Sequence, residues 1–293
     1  MLKQKNILVA GGDNRYLPVI DTFIHHGATV YAAGFDQLHF KKQGVIQSSL
    51  EEMDFQRLDA ILLPVSGTDH NGKIESSYSD TPLHLSPSHI KQTQEHCVIY
   101  TGISNTYLDE AAKDAGRKVV RIFERDDIAI LNSIPTAEGA LKIAIEETDI
   151  TIHGSEVLVL GFGRVGMTVS RTFQQIGANV SVACRKEADL ARIQEMQLTP
   201  IPMEQLLEAV GKKQIIINTV PHLILDEQKL VNIDPSALII DLASKPGGTD
   251  FEAADRLGLK AIHALGIPGK TAPRTAGRII AHVLLDLFQK AIE

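Results

Sequence analysis

Apolar residues fall in short unbroken runs rather than in strict alternation. The runs are 6–10 (NILVA), 28–33 (ATVYAA), 59–65 (DAILLPV), 97–102 (CVIYTG) and 118–123 (KVVRIF), then 156–161 (EVLVLG), 179–184 (NVSVAC), 214–220 (QIIINTV), 237–243 (ALIIDLA) and 259–264 (LKAIHA). Such runs suit strands covered on both faces, and stretches with helical spacing separate them. The pattern predicts an α/β chain built from two doubly wound parallel-sheet domains.

Between the two series lies IPTAEGALKIAIEETD (134–149), where Pro135 and Thr136 suit a helix opening and Ala140, Ile143, Ala144 and Glu147 share a face. This predicts a linker helix over 134–150, between a first domain at 1–133 and a second at 151–271. The last stretch carries Ile279, Ile280, Val283, Leu284, Leu287 and Phe288 at helical spacing, which predicts a helix over 272–293 that returns to the first domain. The polar segment 70–89 (HNGKIESSYSDTPLHLSPSH) reads as a loop and a mobile flap.

A chain of 293 residues agrees with about two domains. Its net charge of -7, with no basic block longer than Lys41-Lys42 or Lys212-Lys213, argues against nucleic acid as a ligand. No apolar stretch approaches the roughly 18 residues of a membrane span, so no membrane is expected. The N-terminus lacks a secretory pattern, Cys97 and Cys184 lie far apart, and adjacent His25 and His26 cannot both face one ion from a helix. A cytoplasmic, reduced, metal-free protein is expected.

The run VLVLGFGRVG places Gly161, Gly163 and Gly166 as GxGxxG directly after a strand and before a helical pattern. This is the context that a Rossmann dinucleotide-binding domain requires: a tight turn, close approach of backbone to a pyrophosphate, and helix packed on strand. The segment Gly161, Phe162, Gly163, Arg164, Val165 and Gly166 is therefore the candidate phosphate loop. About 20 residues on, an NAD site normally carries Asp or Glu to hold the ribose. This chain has Arg185 and Lys186, followed by Glu187 at a helix start. A guanidinium there suits a 2′-phosphate, which favours NADP over NAD, unless Arg185 is a solvated surface cation. Asn218, Thr219, Val220 and Pro221 follow one strand, and Asp241 and Ala243 another, at the carboxyl edge where open α/β sheets bind ligands. Asp241 either orients a partner group or bonds its own loop. Gly247 and Gly248, and the Gly- and Pro-rich 266–277, complete that edge.

In the first domain, Gly12, Asp13 and Arg15 follow the first strand. A cation in a first helical turn opposes the helix dipole, which makes Arg15 a candidate receptor for a small dicarboxylate substrate; the competing reading pairs it with a nearby acid. Ser66, Ser104 and Asn105 follow further strands at the same edge and offer uncharged donors, although Ser104 taken alone reads first as a helix cap. Glu124, Asp126 and Asp127 are either a source of a general base or a solvated acidic turn.

Together GGDNR, Ser66-Gly67-Thr68, HCVIYTGISN, FERDDIAILNSIPTAEG, VLGFGRVGMT, NTVP, DLASKPGGTDF and PGKTAPRTAG closely resemble the family of A-type subunits of bacterial dipicolinate synthases, over nearly the whole chain. The resemblance implies an N-terminal domain plus a C-terminal NADP-binding Rossmann domain, a setting in the mother cell of a sporulating bacterium, and the flavoprotein-like B-type subunit of the synthase as partner. It implies formation of dipicolinate from the product of dihydrodipicolinate synthase, in a hetero-oligomer with a homo-oligomeric core. It carries over no catalytic residues. Two rivals stand beside it: another two-domain NADP dehydrogenase of the shikimate or methylene-tetrahydrofolate type, whose first-domain Lys has no counterpart after a strand here, and a cofactor-binding regulatory subunit without chemistry.

Overall fold

In the computed structural model, which describes residues 2–290, the alternation of side chains along β1 (Asn6–Ala10) decides how the first unit is layered. Ile7 and Val9 enter one buried cluster, while Leu8 and Ala10 enter another on the opposite face of the sheet. Around β1 come α1 (Tyr16–His25), β2 (Thr29–Ala33), β3 (Val45–Gln47), β4 (Ala60–Leu62), a small hairpin of β5 (Lys73–Ile74) and β6 (Leu83–His84), α2 (Pro87–Gln92), β7 (Val98–Thr101), α3 (Thr106–Asp114) and β8 (Lys118–Arg121). The six-stranded sheet is parallel throughout, in the order β3-β2-β1-β4-β7-β8.

The helix α4 (Asp126–Glu147) follows, and the second unit repeats the plan with β9 (Glu156–Leu160), α5 (Arg164–Gln175), β10 (Asn179–Cys184), α6 (Glu187–Glu195), β11 (Thr199–Pro202), α7 (Leu206–Ala209), β12 (Ile215–Asn218), α8 (Glu227–Leu230), β13 (Leu238–Asp241), α9 (Phe251–Arg256), β14 (Lys260–His263) and α10 (Ile267–Thr271). Its parallel order, β11-β10-β9-β12-β13-β14, has the same form, so each sheet has one point where strand order reverses, between β1 and β4 and between β9 and β12. Val157 and Val159 pack to one side of the second sheet, and Leu158 and Leu160 to the other. The fold class is α/β as expected, with two six-stranded doubly wound sheets.

The final helix, α11 (Pro273–Lys290), belongs to the first unit, which otherwise ends at Ala129; the second unit is Ile130–Ala272. Ile280, Ala281, Val283, Leu284 and Phe288 of α11 enter the cluster of α1 and β1. Residues 291–293 of the expected terminal helix lie outside the described residues.

Three expectations need correction. The linker does not open at residue 134: α4 begins at Asp126 and Pro135 lies inside it. Proline removes the N–H that the carbonyl four residues earlier would accept. Nearby, Ser133 Oγ donates to the Ile130 carbonyl and Thr136 Oγ1 to that of Asn132, which keeps this turn supplied with donors. The segment 70–89 is not one loop, since it forms the β5–β6 hairpin and α2, capped by Ser86. By length and composition α4 also passes for a membrane-spanning helix. Its Ala137, Ala140 and Ala144 are nevertheless buried with Val157, Val159 and Phe173 in the core of the second unit.

Where α11 meets α1, a Cβ on Gly277 would lie 2.1 Å from the Arg15 carbonyl oxygen and 2.4 Å from Pro18 Cγ. Gly277→Ala is expected to lower stability by about 1–3 kcal/mol through overpacking, although alanine is the better helix former. Urea denaturation followed by circular dichroism checks this; an unchanged or higher midpoint would count against close packing at this crossing.

Candidate functional site

The loop from β9 into α5 has the geometry that the glycine spacing predicts. Gly161 has a φ of +93°, and a Cβ there would lie 2.7 Å from Thr219 Oγ1. A Cβ on Gly166 would lie 2.2 Å from the Gly161 carbonyl oxygen, so only glycine lets the helix sit this close to the strand end. At Gly163 a Cβ would meet nothing within 4 Å. Gly163 is also the N-cap of α5, with no side chain capping it. An uncapped helix start facing open space is a ready anion site. Phe162 is buried in the core, while Arg164 is exposed and Val165 half-buried. This donor set fits the pyrophosphate of a dinucleotide.

Arg185 and Lys186 follow Cys184 at the carboxyl end of β10, and both are exposed. Lys186 is the N-cap of α6, and Glu187 is the first residue of that helix. Burial pushes the Cys184 thiol up, which keeps it an inert neighbour of Arg185.

The loops after β12 and β13 form one hydrogen-bonded bracket. Asp241, fully buried, accepts from Asn218 Nδ2 (3.0 Å), Ala243 N (3.0 Å) and Gly248 N (2.8 Å). Asn218 also donates to the Val220 carbonyl and accepts from Val220 N. Thr219 Oγ1 donates to the Leu160 carbonyl at 2.7 Å. The side chains of Asn218, Thr219 and Asp241 are therefore committed to shaping the edge and to joining it to β9, whereas Pro221 is exposed on it and Val220 half-buried. His263, at the end of β14, was missed in the sequence; it stacks on Phe251 with ring centroids 5.0 Å apart and faces the Ala243 carbonyl at 3.4 Å. A single histidine in LKAIHA carries no motif that marks it.

In the first unit, Arg15 is bound side-on by Asp13, with Nε to Oδ1 at 2.9 Å and Nη2 to Oδ2 at 2.7 Å. Burial pushes the Asp13 carboxyl up, but the hydrogen bonds from Arg15 and its charge outweigh this and hold it below the usual carboxylate range. Burial likewise lowers Arg15, and its pairing with Asp13 more than restores it. Of the two edges of the guanidinium, Asp13 uses the one formed by Nε and Nη2. The other predicted residues are occupied by local structure. Gly12 N donates to the Glu75 carbonyl, and the Gly12 carbonyl accepts from Ser77 N, so the segment after β5 lies over this loop like an added strand. Tyr78 adds a short hydrogen bond to Asn14. Ser104 Oγ donates to Asp109 (2.5 Å); Asn105 caps α3 through Leu108 N (3.0 Å) and donates to the Thr68 carbonyl (2.6 Å). Ser66 is exposed, 3.5 Å from Glu75. Asp127, in the first turn of α4, is paired with Arg125 at 2.6 Å, and Glu124, just before that helix, lies 3.8 Å from Arg121, so both act as partners of arginines.

Two family models divide the chain as the fold does. Residues 6–123 match the N-terminal domain of the dipicolinate synthase A-type subunit, and residues 137–245 match the NAD binding domain of D-isomer specific 2-hydroxyacid dehydrogenases. A curated relative, the A-type dipicolinate synthase subunit of Bacillus subtilis (strain 168), is 49% identical over 288 residues, which is 98% of this chain and 97% of the relative. The chain belongs to the family of A-type dipicolinate synthase subunits. Two solved structures from that family agree across their length. That from Bacillus halodurans has a TM-score of 0.96 at 46% identity, covering 98% of both chains; that from Bacillus subtilis has 0.94 at 48%, covering 99% of this chain and 98% of the other. Membership of this family sets aside the shikimate and methylene-tetrahydrofolate alternative, and the NAD-binding domain supports an oxidoreductase.

The Asp241 bracket leads to a stability prediction. Asp241→Ala leaves three buried donors without their acceptor and is expected to cost on the order of 3 kcal/mol or more, with Asp241→Asn milder. Chemical denaturation of both variants checks it; if the alanine variant matched the native midpoint, the bracket would not hold the edge.

Proposed function

We propose that this protein oxidises a dihydropyridine dicarboxylate to the aromatic dipicolinate with NADP as acceptor, in the mother-cell cytoplasm, assembled with the B-type dipicolinate synthase subunit on a homo-oligomeric core. The observation that carries this reading is the full-length relation to the A-type dipicolinate synthase subunit, 49% identical over 98% of the chain. Supporting it, the phosphate loop of the second unit is intact and open.

When bound, the nicotinamide supplies a two-electron acceptor: the ring of the substrate gives up a hydride and a proton, and aromaticity drives the step. The chain's own residues bind and orient. The first turn of α5 receives the pyrophosphate, and Gly163 leaves room for it. Arg185, exposed at the end of β10 where NAD enzymes keep an acid, receives the 2′-phosphate. The bracket of Asp241 and Asn218 fixes the loops after β12 and β13, which would hold the nicotinamide when it is bound. Arg15 receives a substrate carboxylate through the guanidinium edge that Asp13 leaves. A doubly charged substrate needs such compensation, because an unpaired carboxylate taken out of water is costly. With Asp13 held ionised and Arg15 always charged, this pair keeps its form across neutral pH.

Incubating the chain with the product of dihydrodipicolinate synthase and NADP, in the presence and absence of the B-type subunit, and following the ultraviolet absorbance of dipicolinate tests the reaction. Turnover is expected with NADP and weaker with NAD; no dipicolinate under either condition overturns the reading. Arg185→Asp is expected to narrow or reverse the preference, since a charge-assisted contact contributes about 1.5–3 kcal/mol. Equal dissociation constants for the two cofactors in the native chain would remove the role given to Arg185. Arg15→Ala is expected to raise the KM for substrate tenfold or more, about 1.4 kcal/mol, with NADP affinity nearly unchanged. If KM stays put, Lys270 or Arg274 is the next candidate for the carboxylates.

A further inference from the structure

The second unit holds a cavity of about 510 Å³ at the amino end of its sheet, remote from the carboxyl edge that carries the glycine loop. Glu156, which lines it at the start of β9, stands roughly 16 Å along the strand from Gly161. The alternation along β10 makes the room. Val180, Val182 and Cys184 pack into the cluster beneath α4 and α5, while Ser181 and Ala183, both small, turn to the opposite face. On that face α7 is a single turn, about 6 Å long, and covers less than the strands span.

Two buried donors line this cavity without an acceptor for every proton. The Lys213 side chain is only 9% exposed, and its ammonium carries three protons. One goes to Ser181 Oγ and one to Glu156 Oε2, both at 2.9 Å; the third meets no acceptor among the described residues. Ser181, also buried, accepts from Lys213, and its own proton goes to no group among the described residues. Buried donors are nearly always paired, so two of them on one cavity mark the place of an acceptor. A carboxylate suits both, since each of its oxygens can accept.

The rim narrows the class of ligand. Glu208 and Lys212 are exposed there, and neither joins an ion pair among the described residues. With Lys213 and Glu156 the lining carries two cations and two anions, so a dianion such as phosphate would meet carboxylates, whereas a molecule with one charge of each sign is matched. Lys213 already holds Glu156, which leaves Glu208 for a ligand cation. Ile201 and Ala209, half-buried in the same lining, supply an apolar wall. The volume is that of a small-molecule pocket, for which about 300–1,000 Å³ is usual. We infer that this cavity binds an α-amino acid, its carboxylate on Lys213 and Ser181 and its ammonium on Glu208. The site shares no residue with the glycine loop or Arg185, so its occupant does not compete with the dinucleotide, and the inference stands apart from the reaction proposed above.

Differential scanning fluorimetry of the full chain with each of the common amino acids at millimolar concentration, followed by titration calorimetry of those that raise the melting temperature, tests this. At least one is expected to bind with a submillimolar dissociation constant, and equally well with NADP present. Its analogues lacking the amino group or the carboxyl group are each expected to bind at least tenfold more weakly. Lys213→Met and Glu208→Gln are each expected to weaken the amino acid at least tenfold while circular dichroism and NADP affinity stay native. Should Lys213→Met fail to fold, Ser181→Ala and the exposed Glu208→Gln carry the test. Binding by none of the amino acids, equal binding of the plain carboxylic acid, affinity indifferent to these variants, or displacement of the amino acid by NADP each overturns the inference; in the first case Lys213 only ties β12 to β9. Dipicolinate formed by a chain that binds no amino acid overturns this inference alone and leaves the reaction reading intact.

Discussion

A parallel strand buried on both faces ends at an edge where its backbone loses ladder partners, and a buried polar group without a partner is costly. Both sheets of this protein meet that demand from their own side chains. Asp241 gathers three donors, Asn218 closes its own turn, Asn105 caps α3 and spans to Thr68, and Asp13 serves both the backbone N–H and the guanidinium of Arg15. The start of α5 combines an uncapped N-terminus with the tight glycine turn before it and open space in front of Gly163. That combination is what makes this loop the candidate anion site.

The same strand order occurs twice, yet the two reversal points are finished differently. At β1 the segment after β5 bonds Gly12 on both its N–H and its carbonyl, so chain fills what would otherwise be a phosphate loop. At β9 the corresponding loop stays clear. A shared architecture thus yields one unit whose loop is open in front of its glycines and one whose loop is covered by the chain itself.

Much of this was legible in the order of residues. The central strands announced themselves because burial on both faces demands unbroken apolar runs, and the helix at 273–290 because its apolar positions repeat at helical spacing. The edge strands β3 and β11 did not. Val45–Gln47 is three residues long and mostly exposed, and Thr199–Pro202 holds two prolines, which only an edge strand tolerates because a missing N–H there faces no neighbour. Pro135 misled because proline most often sits in a first turn, and nothing local shows that Ser133 and Thr136 will bond the carbonyls around it. Among the site residues, spacing located the loops correctly but not the direction of their side chains. Ser104 and Asn105 cap and brace: their contacts to Asp109 and Leu108 are local to the start of α3, and only the bond from Asn105 to Thr68 depends on how the strands are ordered.

The placement of α11 bears on the order in which the chain becomes a protein. Ile280, Val283, Leu284 and Phe288 complete the cluster that Ile7, Val9 and Phe23 begin, across more than 250 positions of sequence. During synthesis the first sheet therefore lacks one wall of its core until α11 has been made, whereas the second unit, continuous in sequence, has all its parts in hand before that. The unit begun first of the two is the last to be sealed. For that interval the apolar face of α1 is exposed to chaperones and to other nascent chains.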